Sequence, residues 1–155
     1  MIKVACAFAA LLLCPPANAA AAPEDVVQSV RGTAIPVLLR DQIDGKAVAE
    51  IVRSPSARVF AILRGGDGAP EVHVSETDIL IVRSGAATLL VGGDIEGATE
   101  MTAGEFRGGT IKNGRKIKMA TGDVIYVPAG IPHQMLIPTG GKFEYLAIKN
   151  PAAGR

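Results

Sequence analysis

From residue 58 onward the chain alternates short apolar runs with turn residues. The runs occupy positions 59–63, 79–82, 88–91, 117–119, 124–127, 135–137 and 143–148, and Gly, Pro or Asn follows each within a few residues. Each is of strand length, and none is long enough for a typical helix. Short strands at this spacing predict an all-β sandwich or barrel. Ser84 and Gly85 sit between two runs and are expected to form a hairpin turn. Lys116 and Lys118 alternate with Ile117 and Met119, so that strand should have one wet face. Tyr126 alternates with Ile125 and Val127, and its phenol is expected to point inward.

Upstream the pattern is less regular. Residues 23–30 (PEDVVQSV) read as a helix opening, with Pro and acids in the first turn. Residues 33–39 suggest an edge strand that tolerates Pro36. Residues 47–52 suit either helix or strand. Residues 92–114 are Gly-rich and polar, and predict a long loop or excursion of the kind that is often functional.

The N-terminus follows a different logic. Lys3 precedes an uninterrupted apolar run over residues 4–14, broken by Pro15 and Pro16. Ala17-Asn18-Ala19 then supplies the small residues that signal peptidase requires. This order predicts a secretory signal peptide cleaved after Ala19, with Ala21 and Ala22 as alternative sites. The apolar run is too short to span a bilayer. Cys14 raises a lipoprotein signal, but bulky Leu13 precedes it where a small residue is wanted. The expected location is periplasmic or secreted, with no stable membrane insertion after cleavage.

Composition matters once this segment is set aside. Of 155 residues, 136 remain, and the +1 formal charge becomes an even balance of 15 basic and 15 acidic residues. Both cysteines, Cys6 and Cys14, are lost, so no disulfide can form and stability must come from a packed core. Even charge argues against a nucleic-acid binder. The basic group Lys112, Arg115, Lys116 and Lys118 has no interleaved aromatics and reads as a solvated face.

The chain has two histidines, His73 and His133. Gly122, Pro128, Gly130 and His133 form G-x5-P-x-G-x2-H, which places an imidazole on a strand just after a bend. Upstream, Gly65, Glu71, His73, Asp78 and Gly85 form G-x5-E-x-H-x4-D-x6-G. Residues two apart on a strand share a face, so Glu71 and His73 should point the same way.

These two patterns resemble the two motifs of the cupin superfamily, over about residues 58–150. Glu71 stands where the first motif has its first His, Asp78 where it has Glu, and Ile137 where the second motif ends in Asn. The resemblance implies an all-β cupin-like double-stranded β-helix, a jelly-roll barrel with an N-terminal arm. With the signal peptide already read over residues 1–19, the expected domains are an arm of short helix or strand over 20–55, a barrel over 56–150 and a tail over 151–155. The resemblance also implies that His73, His133, Asp78 and Glu71 converge inside the barrel as metal ligands. Two imidazoles and two carboxylates suit a divalent ion such as Fe, Mn or Zn.

The resemblance implies a metal-dependent enzyme acting on a small polar organic molecule, by dioxygenation, decarboxylation, lyase cleavage or isomerisation, and the signal peptide implies that it is exported. The alternative is a non-catalytic small-ligand-binding module. A homodimer joined through the N-terminal arm is the expected assembly. Lys118, Arg83 and Gln134 are further candidates for binding a carboxylate substrate, provided they face the barrel.

Overall fold

The computed structural model describes residues 28–41 and 45–152. The expected signal peptide, residues 23–27 of the expected helix opening and residues 153–155 lie outside those described. Residues 28–30 are not helical.

Among the described residues the fold is nearly all β. The strands are β1 (Lys46–Arg53), β2 (Arg58–Arg64), β3 (Glu71–His73), β4 (Glu76–Ser84), β5 (Ala86–Val91), β6 (Asp94–Glu96) and β7 (Thr99–Thr102), then β8 (Glu105–Arg107), β9 (Thr110–Lys112), β10 (Arg115–Ala120), β11 (Val124–Val127), β12 (His133–Leu136) and β13 (Phe143–Pro151). One sheet has the order β1-β2-β13-β4-β11 and a second the order β10-β5-β12-β3-β8-β7. β6 and β9 form a separate two-stranded ribbon. Among the described residues every strand pairing is antiparallel, and all seven apolar runs form or overlap a strand.

The two large sheets pack face to face. Leu80, Val82, Val127 and Phe143 of the first meet Ala87, Leu89, Met119 and Met135 of the second in one buried cluster. Leu89 and Phe143 are fully enclosed. Each such side chain contributes about 1.5–3 kcal/mol of burial free energy. A smaller cluster of Ile35, Leu39, Ala47 and Ala61 covers the outer face of β1 and β2.

That outer cluster corrects one expectation. Residues 33–39 are not an edge strand; they hold a 3-10 turn, Gly32–Ala34, and a short helix, α1, Ile35–Leu38. Pro36 lies in the first helical turn, where its fixed φ fits and its missing N–H costs nothing. Ile35 and Leu39, four apart, therefore fall on one face and dock on the sheet. Residues 47–52 resolve as strand, within β1.

Three further expectations change. Residues 92–114 are not a loop but contain four strands, β6 to β9. Gly residues with positive φ at Gly97, Gly104 and Gly108 supply the bends between them. Ser84 and Gly85 do not make a hairpin. β4 and β5 lie in different sheets, so the chain crosses from one layer to the other at Gly85. Tyr126 does not point inward: it is exposed with Val124, while Val127 is buried. On β11 the apolar and aromatic residues alternate as expected, with the parity reversed.

Candidate functional site

Strand register builds the site row by row. His133 on β12 lies opposite Glu71 on β3, and Glu71 lies opposite Arg107 on β8. In the next row, His73 lies opposite Glu105. The facing sheet contributes Asp78 on β4, opposite Lys149 on β13. Side chains at opposed positions share a face, so these rows look across the barrel at one another. The Pro128–Gly130 turn fixes their relation, because the Gly130 N–H donates to the His73 carbonyl at 2.7 Å.

The structure thus brings together all four residues singled out from sequence. His73, Asp78 and His133 are buried, and Glu71 is partly so. His133 Nε2 lies 3.4 Å from Glu71 Oε1 and 3.4 Å from Asp78 Oδ2. His73 Nε2 lies 3.4 Å from the same Asp78 oxygen. The two imidazole centroids are 5.3 Å apart. Glu71, His73 and His133 form a group whose ligand atoms all lie within 4.8 Å of one another, close enough to hold a metal ion.

The outward atoms of these groups are already engaged. His133 Nδ1–H donates to the Ile131 carbonyl at 3.0 Å, and His73 Nδ1–H donates to Glu105 Oε2 at 2.5 Å. In the neutral ring each bond fixes the tautomer whose Nε2 lone pair faces inward, and below its raised pKa of about 9 His133 carries a second proton there. The Arg107 guanidinium takes Glu71 Oε2 at 2.8 Å, and Lys149 Nζ takes Asp78 Oδ1 at 2.8 Å. One oxygen of each carboxylate remains turned toward the imidazoles. His73 Nε2 is buried with no hydrogen-bond partner.

Acceptors meeting acceptors are satisfied by a metal ion or by a proton between them, and the protonation equilibria show that demand. Burial alone would lower the His133 pKa, but hydrogen bonds to Asp78 and Glu71 outweigh it and push it up to about 9. Burial alone would raise Glu71. The His133 hydrogen bond and the charges of His133 and Arg107 overcome this and hold it well below the carboxylate range. Asp78 is lowered in the same way, against burial, by His133 and Lys149.

The site opens into a cavity of about 400 Å³ whose walls include Phe60, Ile62, Leu80, Met101 and Met135. That volume suits a small molecule. Glu105, Arg107, Lys149, Arg64 and Tyr145 also line it and were not singled out from sequence. Glu105 and Arg107 lie in the Gly-rich excursion, whose polarity hinted at function without pointing to either residue. Three candidates for a substrate carboxylate fall elsewhere. Lys118 is exposed on β10, Arg83 is bound to Glu144, and the Gln134 side chain donates to the Gly68 carbonyl.

No protein-family model and no curated protein matches the chain. Solved structures do. A Klebsiella pneumoniae protein with a double-stranded β-helix domain is 17% identical, covering 82% of this chain and 95% of its own, with a TM-score of 0.58. KdgF from Halomonas is 16% identical over 73% of this chain and 84% of its own, at a TM-score of 0.53. The nucleoside dehydratase Pac13 is 16% identical over 74% of this chain and 76% of its own, at 0.51. A Streptomyces Pac13 variant has also been solved with uridine. At these identities the likeness is one of fold. The chain has the double-stranded β-helix fold of the cupins.

Proposed function

We propose that this is an exported protein that binds one divalent ion between His73, His133, Glu71 and Asp78 and acts on a small polar organic molecule in the adjoining cavity. The observation that carries this reading is the orphaned His73 Nε2, buried among inward-facing acceptors. Two imidazole nitrogens and two carboxylate oxygens suit Fe, Mn or Zn. A bound ion would supply Lewis-acid polarisation of a substrate oxygen. The chain's own residues hold that arrangement: Glu105 fixes His73, the Ile131 carbonyl fixes His133, and Arg107 and Lys149 fix the carboxylates. Phe60, Leu80 and Met135 supply apolar surface on the cavity wall. A uridine-bound neighbour supports a small-molecule ligand, and the charge, apolar run and A-x-A order of residues 1–19 support export.

Stability against pH tests the metal site without a known substrate. The folded pKa of His133, about 9, lies above its ordinary 6.5. Its stabilisation is therefore complete below pH 6.5 and is lost as pH rises through 9. The lowered carboxylates contribute above their ordinary values, and that contribution fades only as pH falls through their folded values. Metal-free protein should accordingly lose stability between pH 6.5 and 9, by at most on the order of 3 kcal/mol. With saturating zinc or manganese the trend should reverse, because a ligand imidazole must be deprotonated. Urea titrations across this range, with chelator and with metal, give both profiles. Superimposed profiles would sink the proposal.

Glu105 provides a second test. Glu105→Ala frees His73 Nδ1 without removing a ligand, and should weaken metal binding by about 10–100-fold. Competition against a chromophoric chelator measures this, and wild-type affinity in the variant would remove Glu105 from the site.

A further inference from the structure

Five cations line the cavity: Lys46, Arg58, Arg64, Arg107 and Lys149. Three are matched by acids. Arg58 holds Glu76, Arg107 holds Glu71 and Lys149 holds Asp78. Among the described residues, Lys46 and Arg64 have no carboxylate partner in any ion pair.

Arg64 is the more telling of the two. It ends β2 and is only 7% exposed, although its charge is not paired. A buried charge without a counter-charge is costly, and a charged side chain is almost never buried unless paired. Its Nε–H donates to the Tyr145 hydroxyl at 3.0 Å, and its guanidinium lies against Gly68, where a Cβ would press on it. The side chain is thus held in place by a phenol and a glycine, and neither neutralises it.

Register sharpens the point. Lys46 and Arg64 are direct partners across β1 and β2, so two like charges sit on one face. Burial lowers the Lys46 pKa, and the Arg64 and Arg107 charges lower it further. Tyr145 completes the set. Burial pushes its phenol up, so it stays protonated; it accepts from Arg64 and keeps its own proton to donate. A planar guanidinium, an ammonium and a phenol O–H on one cavity wall make a receptor for a carboxylate.

We propose that the substrate or ligand of this cavity is a small organic acid whose carboxylate is bound by Arg64, Lys46 and the Tyr145 hydroxyl. The assignment names the substrate class of the cavity proposed above as the working site. It rests on that reading, but carboxylate binding and metal binding can be measured separately.

The test is calorimetry at pH 7 on the full chain, zinc-loaded and chelator-treated. The probes are malonate and succinate, their neutral diamides, and inorganic phosphate. The acids should bind at least 10-fold more tightly than the diamides. Arg64→Gln should weaken acid binding at least 10-fold while retaining wild-type zinc stoichiometry. Arg64→Lys should fall between the two, and Lys46→Gln should cost several-fold. If Arg64→Gln does not fold, Arg64→Lys and Lys46→Gln decide the matter. Diamides binding as well as acids, phosphate binding where the acids do not, or variants matching wild type would each overturn the assignment. Failure of wild type to take up zinc would overturn the metal reading alone, and the acid titrations of chelator-treated protein would still decide this one.

Discussion

His133→Ala and His73→Ala should each weaken divalent-metal binding by about 1,000-fold or more. The reasoning starts from what each ring offers. Both Nδ1 atoms are committed outward, to the Ile131 carbonyl and to Glu105, so each ring has only Nε2 to give. Loss of an outer support alone costs about 10–100-fold in metal affinity, so loss of the donor nitrogen itself must cost more. The carboxylates should separate in the same assay. Glu71→Gln and Asp78→Asn each keep an oxygen donor and lose a charge, and should cost less than either His variant. Metal titration with circular dichroism as a folding control provides the readout. Unchanged metal content in both folded His variants would show that these rings do not bind an ion.

Gly85→Ala should destabilise the protein by about 2–6 kcal/mol. Gly85 adopts φ 84°, a conformation that costs an L residue about 1–3 kcal/mol. A Cβ there would also overlap the Lys142 carbonyl oxygen, and relieving that overlap costs about 1–3 kcal/mol more. Neither side can move freely. β4 and β13 are paired through Glu144 and Ser84, immediately beside the clash. Against a typical total of about 5–15 kcal/mol, this would leave the protein close to unfolding at moderate temperature. Urea denaturation gives the number, and a loss under about 1 kcal/mol would show that the crossing can relax.

Gly85 also shows what the sequence could not reveal. A Ser-Gly pair between two apolar runs marks a reversal, but a hairpin and a step between sheets need the same backbone freedom. Choosing between them depends on which strands β4 and β5 pair with, and those partners lie far along the chain. The individual strands were legible because alternation is a local property. Residues 33–39 misled because Pro36 suits a helix start as well as a strand edge, and only contact with Ala47 and Ala61 settles it. Tyr126 misled because alternation gives two faces without saying which is inside.

The candidate site divides in the same way. Glu71, His73, Asp78 and His133 stood out through their spacing. Glu105, Arg107 and Lys149 did not, because each is defined by a cross-strand partner. Arg64 adjoins Gly65 and looks in sequence like any basic residue at a strand end. Its significance comes from being buried with no acid partner among the described residues, which only the folded structure reveals.

The salt bridges behind the carboxylates carry one more consequence. With Glu71 Oε2 on Arg107 and Asp78 Oδ1 on Lys149, neither carboxylate can chelate through both oxygens without giving up a partner. Ca²⁺ seeks six to eight oxygens and often grips carboxylates in pairs. In the proposed site it would find two single oxygens and two nitrogens, a poor exchange for its water shell. Ion selectivity would then reside less in the ligands than in the arginine and lysine that restrain them.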